Sequence, residues 1–162
     1  MSRNKISSIR IDIKGKLRDS MIAQLNAQLA DTLDLYTQVK QAHWNVKGPH
    51  FIALHELFDK LAEDIEGPVD DIAERVTALG GIARGTVRIA AAGSRLPELP
   101  HDNFDGIKVT ALLADRYAAL AASTRAAIDV ASREGDADTA DLFTGISRGL
   151  DKALWFLESH LA

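Results

Sequence analysis

Four long stretches of this 162-residue chain carry apolar residues spaced three and four positions apart, and this spacing restricts the fold more than any other feature. It gives an α-helix a continuous apolar face, whereas a strand needs a repeat of two. The first helix is predicted to begin at Asp19 or Ser20, because either side chain can cap it. Its apolar face consists of Ile22, Leu25, Leu29, Thr32, Tyr36, Val39 and His43.

The other three stretches predict helices over residues 51–79, 105–133 and 138–160. Gly67-Pro68 lies inside the second helix, and we expect a kink or short break there because proline has no N–H to donate. Residues 82–103 lack a long periodic stretch, apart from a short helix expected over Thr86–Ala92. A connection of this length suits a crossover along a bundle. The pattern predicts an all-α four-helix bundle whose long crossover carries a short extra helix.

Composition narrows the functional classes. The absence of cysteine excludes disulfides and thiolate metal sites, and fits a reducing cytoplasm. Hydrophobic residues make up 46% of the chain and charged residues 26%, which is usual for one soluble globular domain. The N-terminus has no apolar signal-peptide core, and no stretch approaches transmembrane length. We therefore expect a cytoplasmic protein.

Charge is distributed unevenly along the chain. Residues 1–20 carry six basic and two acidic side chains, a net charge of +4. Because the net charge of the whole chain is −4, the remaining residues carry a net charge of −8. This division predicts a basic flexible tail over residues 1–19 and a folded domain over 20–162. The tail could contact DNA phosphates, or its alternating Ile9, Ile11 and Ile13 could dock it on the protein; the sequence leaves both open. The basic residues are Arg3, Lys5, Arg10, Lys14, Lys16 and Arg18.

Two pairs of metal-ligating side chains lie on the second helix. His55 and Asp59 are one turn apart, as are Asp70 and Glu74, and both pairs share a helix face within ~20°. Asp59 and Asp70 are nevertheless roughly 16 Å apart along the axis, too far for one ion with ligands at ~2 Å. His43 lies six residues before Pro49 and His55 six after it, so both histidines stand at the same height. Antiparallel packing of two copies would complete the constellation, so the spacing predicts a metal site shared between subunits.

Each part of this constellation also has an ordinary structural interpretation. A His and an Asp four residues apart often form a surface ion pair, and Asp70 with Glu74 could be a solvated acidic face. His43 could be a satisfied core histidine, and Trp44 could serve packing alone. The combined pattern favours a metal, because imidazole with carboxylates suits Fe(II), Mn(II) and Zn(II).

Short motifs are spread over most of the chain, namely His43-Trp44-Asn45-Val46-x-Gly48, Phe51, Leu54-His55, Asp59, Asp70-x-x-Ala73-Glu74-Arg75, Leu79-Gly80-Gly81, Asp115-Arg116-Tyr117, Thr139-Ala140-Asp141 and Asp151-Lys152-x-Leu154-Trp155-Phe156-Leu157-Glu158. Together they resemble the Dps family of mini-ferritins, whose name stands for DNA protection during starvation. The resemblance covers about residues 20–160 and implies a ferritin-like four-helix subunit, a hollow dodecameric shell and a ferroxidase site at a two-fold interface.

The resemblance also implies an activity. One chain would supply His43, His55 and Asp59 and its neighbour Asp70 and Glu74, with Trp44 beside the site. Two iron ions per site would pass from Fe(II) to Fe(III), preferably with hydrogen peroxide as oxidant, and ferric mineral would be stored in the shell. Zn(II) is a possible competitor, and metal sequestration without turnover is an alternative. DNA compaction by the tail, with nucleoid association, is another.

Acidic channels that admit iron are a further implication of the resemblance. They map onto Asp136, Asp141 and Asp151. The alternative for Asp138 and Asp141 is capping of the fourth helix and compensation of its dipole. One carboxylate can do both.

Overall fold

This computed structural model describes residues 9–162. That part of the chain contains four long helices and one short helix. This range contains no strand, so the predicted all-α bundle with a helix in its crossover is confirmed. Arg3 and Lys5 lie outside the described residues. The helices are α1 (Gly15–Asn45), α2 (Phe51–Ala78), α3 (Val87–Gly93), α4 (Gly106–Glu134) and α5 (Ala137–Glu158).

The core lies between the four long helices, where the predicted apolar faces meet. α1 pairs with α2 and α4 with α5 through short connections, and α3 lies against α1. Within residues 9–162, none of the helices has the length and continuous apolar character that a bilayer crossing requires. The largest fully buried side chains include Tyr117, Phe58, Phe143, Met21, Leu25, Leu29, Leu35 and Leu54.

The start of α1 differs from the prediction. The helix begins at Gly15, so the expected start at Asp19 or Ser20 is wrong, and Lys16 and Arg18 belong to its first turn. Lys14 occupies the cap position without a side-chain hydrogen bond. The extension is stabilised from outside the helix, because Leu17 packs against the core.

Pro68 does not break α2, so the expected short break is wrong. The helix continues from Phe51 to Ala78 with the proline inside it. One backbone hydrogen bond is lost at Pro68, but Ile65 and Ile72 on either side are buried and hold the helix against the core. Asp59 and Asp70 therefore lie on one uninterrupted helix.

Local signals at the ends of α4 and α5 work as expected, with one exception. Asp105 accepts a hydrogen bond from the Lys108 amide at 3.2 Å, and Gly135 ends α4 with a positive φ of 96°. The cap of α5 is Asp136, which accepts from the Thr139 amide at 3.0 Å. Capping by Asp138 or Asp141 is therefore wrong. Asp138 lies in the first helical turn, where a carboxylate is favourable to the dipole.

Candidate metal centre

The turn between α1 and α2 is tied to the start of α4, and this fixes the position of both histidines. The Lys47 amide donates to the Phe104 carbonyl at 3.0 Å, and the Gly106 amide donates to the Lys47 carbonyl at 3.0 Å. Gly106 permits the close approach, since an added Cβ would lie 2.7 Å from a methyl group of Leu54. Gly48 adopts a positive φ of 114°, which a residue with a side chain rarely does.

His43 and His55 hold each other through reciprocal hydrogen bonds. Nδ1 of His43 lies 2.8 Å from the His55 carbonyl, and Nδ1 of His55 lies 2.9 Å from the His43 carbonyl. The rings stack with centroids 3.9 Å apart and planes 22° apart. Because a carbonyl only accepts, each Nδ1 carries the proton, and each Nε2 keeps its lone pair for a metal. The predicted height match of the two histidines is confirmed.

Asp59 lies beside this pair but is engaged by a lysine. Nζ of Lys40 lies 2.7 Å from Oδ1 of Asp59, and Nε2 of His43 lies 3.7 Å from the same oxygen. The hydrogen bond from Lys40 lowers the pKa of Asp59 most; partial burial raises it, and the charge of the same lysine lowers it further. Asp59 is therefore an ionised carboxylate next to two oriented imidazoles.

Trp44 lies at the edge of the site and outside the core. Its side chain is 67% exposed, with the Lys40 ammonium 5.9 Å from the ring centroid. Packing inside the subunit is therefore not its role. Phe51 and Ile52, at the start of α2, are also exposed apolar residues, so this side of the subunit has a surface suited to a second protein.

Asp70 and Glu74 are exposed on the distal half of α2 and do not join the histidines. The uninterrupted helix places Asp59 and Asp70 about 16 Å apart along its axis. Within residues 9–162, no group of three or more His, Asp or Glu side chains is placed to hold an ion. A single subunit thus presents two separate groups of candidate ligands, and neither is a complete site.

The three acids expected at channels occupy different environments. Asp136 is buried, with Oδ1 2.8 Å from Nη2 of Arg75 and Oδ2 2.6 Å from the Thr139 hydroxyl. Its carboxylate therefore stabilises the folded subunit. Asp151 forms an exposed ion pair with Arg125 at 2.7 Å. Asp141 is exposed and lines a hollow of about 440 Å³. The same hollow is lined by Asp71, Glu74, Arg75, Ala78, Asp138 and Leu142.

The described basic residues near the N-terminus lie close together in the chain. Arg10, Lys14 and Lys16 are exposed, whereas Nε of Arg18 is buried without a hydrogen-bond partner among the described residues. The first turn of α1 contains no acidic residue. This end of the helix is therefore electropositive from both side chains and dipole.

Sequence reasoning missed two residues of the site. Lys40 precedes His43 by three residues, and that spacing was a usable signal that its side chain shares the face of the site. Arg75 follows Glu74 and binds Asp136, 61 positions later. No pattern in the sequence around either residue indicates this contact.

Comparisons with known proteins place the chain among ferritin-like proteins. A family model described as a ferritin-like domain matches residues 22–162. The chain is 41% identical to the DNA protection during starvation protein of Agrobacterium fabrum, over 97% of each chain. It superposes on DpsC of Streptomyces coelicolor with a TM-score of 0.94 at 28% identity, covering 100% of this chain and 95% of that one. DpsA14 of the same organism gives 0.90 at 33% identity, covering 96% and 92%.

Proposed function

Because this chain belongs to the Dps family of ferritin-like proteins, we propose that it binds and oxidises Fe(II) at sites shared between two copies. Hydrogen peroxide is the preferred oxidant, and ferric mineral is stored inside a shell of twelve copies. One observation carries the proposal: each subunit presents two oriented Nε2 atoms and Asp59 near one end of α2, and two exposed carboxylates that begin about 16 Å beyond Asp59 along the same helix.

The two half-sites complement each other chemically. His43 and His55 supply neutral nitrogen ligands and Asp59 an ionised oxygen ligand, while Asp70 and Glu74 of a second copy supply two more carboxylates. Imidazole binds Fe(II) well, and hard carboxylate oxygens favour Fe(III). The mixed ligand set therefore binds the substrate ion and favours the loss of its electron.

A site for two Fe(II) ions also fits the redox arithmetic of peroxide. Two Fe(II) ions each release one electron, and these two electrons with two protons reduce one hydrogen peroxide to two waters. Paired oxidation avoids the one-electron reduction that releases hydroxyl radical. This chemistry suits relatives named for DNA protection during starvation.

Two neighbouring side chains would modify the reaction. Lys40 competes with an ion for Asp59, because its ammonium occupies Oδ1 of that carboxylate. Trp44 would be covered by the second copy and could take up stray oxidising equivalents beside the site.

Asp141 would guide iron inward, since it shares its acidic hollow with Glu74.

Stopped-flow mixing of Fe(II)-loaded protein with hydrogen peroxide tests the assignment. The double variant His43→Ala/His55→Ala should oxidise Fe(II) at least about tenfold more slowly, because the nitrogen ligands are lost. The matched control is His101→Ala/His160→Ala, which removes two exposed histidines from elsewhere in the chain. A wild-type rate in the first variant refutes the site. Tight Fe(II) binding without rapid ferric absorbance in the wild type indicates sequestration, with Zn(II) then an equal candidate.

DNA binding is a second candidate, favoured by the electropositive start of α1. Lysines at a helix N-terminus oppose the dipole, so Lys14 and Lys16 do not serve helix stability. Phosphates would bind there, and many copies in one assembly would add avidity. The variant Arg10→Gln/Lys14→Gln/Lys16→Gln should weaken a low-salt gel shift, whereas neutralising the exposed Arg84 and Arg88 should not. The absence of any shift for the intact protein dismisses this function.

A further inference from the structure

A groove of about 530 Å³ runs between α2 and α5, away from the histidine pair. Its α5 wall is recessed because Gly145 and Gly149 face it, and a Cβ added at either position would meet no atom within 4 Å. Glycine in a helix interior costs about 1 kcal/mol relative to alanine. The chain thus keeps the groove open at some expense in helix stability.

The floor of the groove contains a buried polar group without a partner. Tyr117 lines the groove and is 1% exposed, yet its hydroxyl makes no hydrogen bond within residues 9–162. Leaving a buried hydroxyl unsatisfied costs about 1–3 kcal/mol. Burial, together with the charge of Asp64, raises the pKa of Tyr117 far above its ordinary value, so the phenol keeps its proton and can donate.

The two ends of the groove differ in charge. Asp71 and Asp141 stand at one end, and neither has a basic side chain within 4 Å among the residues described. Near the other end, Asp64 is already paired with Lys60, and the basic Lys152 also lines the groove. The walls between are apolar, with Leu61, Ile65, Leu142 and Ile146 among them. The end at Asp71 and Asp141 therefore suits a cation, and the middle suits a hydrocarbon chain.

We propose that this groove binds a small organic monocation, a primary ammonium joined by an apolar chain to a hydrogen-bond acceptor. The ammonium lies between Asp71 and Asp141, and the apolar chain of the ligand passes over the two glycines. The acceptor group accepts a hydrogen bond from the Tyr117 hydroxyl. Tyr117 lies near Asp64, and Asp64 to Asp71 is about 10 Å along α2, which sets the separation of the two groups. A monoacylated diamine has this form. The site shares Asp141 with the proposed path of iron, but it contains none of the proposed ligands of the iron centre.

Calorimetric titration of the assembled full-length protein with three related probes tests the proposal. N-acetyl-1,8-diaminooctane has both polar groups, octylamine lacks the acceptor, and N-octylacetamide lacks the ammonium. The first probe should bind about fivefold more tightly than octylamine, for one hydrogen bond, and about tenfold more tightly than N-octylacetamide, for a charge-assisted contact. Equal affinities for all three probes, or no binding, overturn the proposal.

Two variants separate recognition from structure. Tyr117→Phe should abolish the advantage of N-acetyl-1,8-diaminooctane over octylamine while leaving the thermal midpoint unchanged or higher, because an unsatisfied hydroxyl is removed. Gly149→Leu should fill the groove and remove binding of every probe, whereas Ala126→Leu, at an exposed position of α4 outside the groove, should not. If Tyr117→Phe still binds N-acetyl-1,8-diaminooctane more tightly than octylamine, the hydroxyl does not bind the acceptor group and the assignment fails.

Discussion

A site built from two subunits can be tested by restoring it from two inactive chains. One variant, His43→Ala/His55→Ala, lacks the nitrogen half, and another, Asp70→Ala/Glu74→Ala, lacks the distal carboxylate half. Each alone should oxidise Fe(II) at least about tenfold more slowly than the wild type. His55 and Asp70 lie about 22 Å apart along the axis of the continuous α2, so neither chain can complete a site by itself.

The expected recovery follows from two-fold symmetry. In an equal mixture that assembles at random, a site has an intact histidine half in one case of two, and independently an intact carboxylate half in one case of two. About a quarter of the sites should therefore be active if the halves come from different chains. If both halves came from one chain, every site would carry a defect and no activity would return.

Stopped-flow oxidation of Fe(II) by peroxide measures the active fraction after the two variants are unfolded and refolded together. Native mass spectrometry confirms that chains have mixed. A second mixture, of wild type with a chain lacking all four residues, gives an independent value: about a quarter of the sites for a shared centre and about half for a centre within one chain. No recovery in the first mixture and half in the second would refute the shared site.

Three further predictions address single residues near the site. Lys40→Gln should strengthen anaerobic Fe(II) binding by up to about fivefold, since it frees Oδ1 of Asp59, and Lys40→Arg should not. Asp136→Ala should lower the free energy of unfolding by about 3 kcal/mol, because it removes a helix cap and leaves Arg75 without its buried partner; an unchanged thermal midpoint contradicts this. Asp141→Asn should slow iron uptake severalfold with the same midpoint, and unchanged uptake excludes it from the iron path.

Helix ends were predictable where the signal is local. Pro49, the paired glycines after residue 79 and Gly135 end or begin helices within one or two residues of the predicted positions. These residues act through their own backbone preferences, which need no tertiary contact. The start of α1 was not predictable in this way, because Leu17 extends the helix by packing on the core rather than by capping it.

The sequence by itself determined which candidate ligands share a face of α2, because the helical repeat sets the phase of His55, Asp59, Asp70 and Glu74 wherever the helix lies. Only the tertiary structure decided how these groups are held. The reciprocal bonds between His43 and His55 and the contact of Lys40 with Asp59 join α1 to α2, so they depend on the packing of two helices. A one-dimensional pattern records spacing along one helix; the rotation of a neighbouring helix is set by how the core packs.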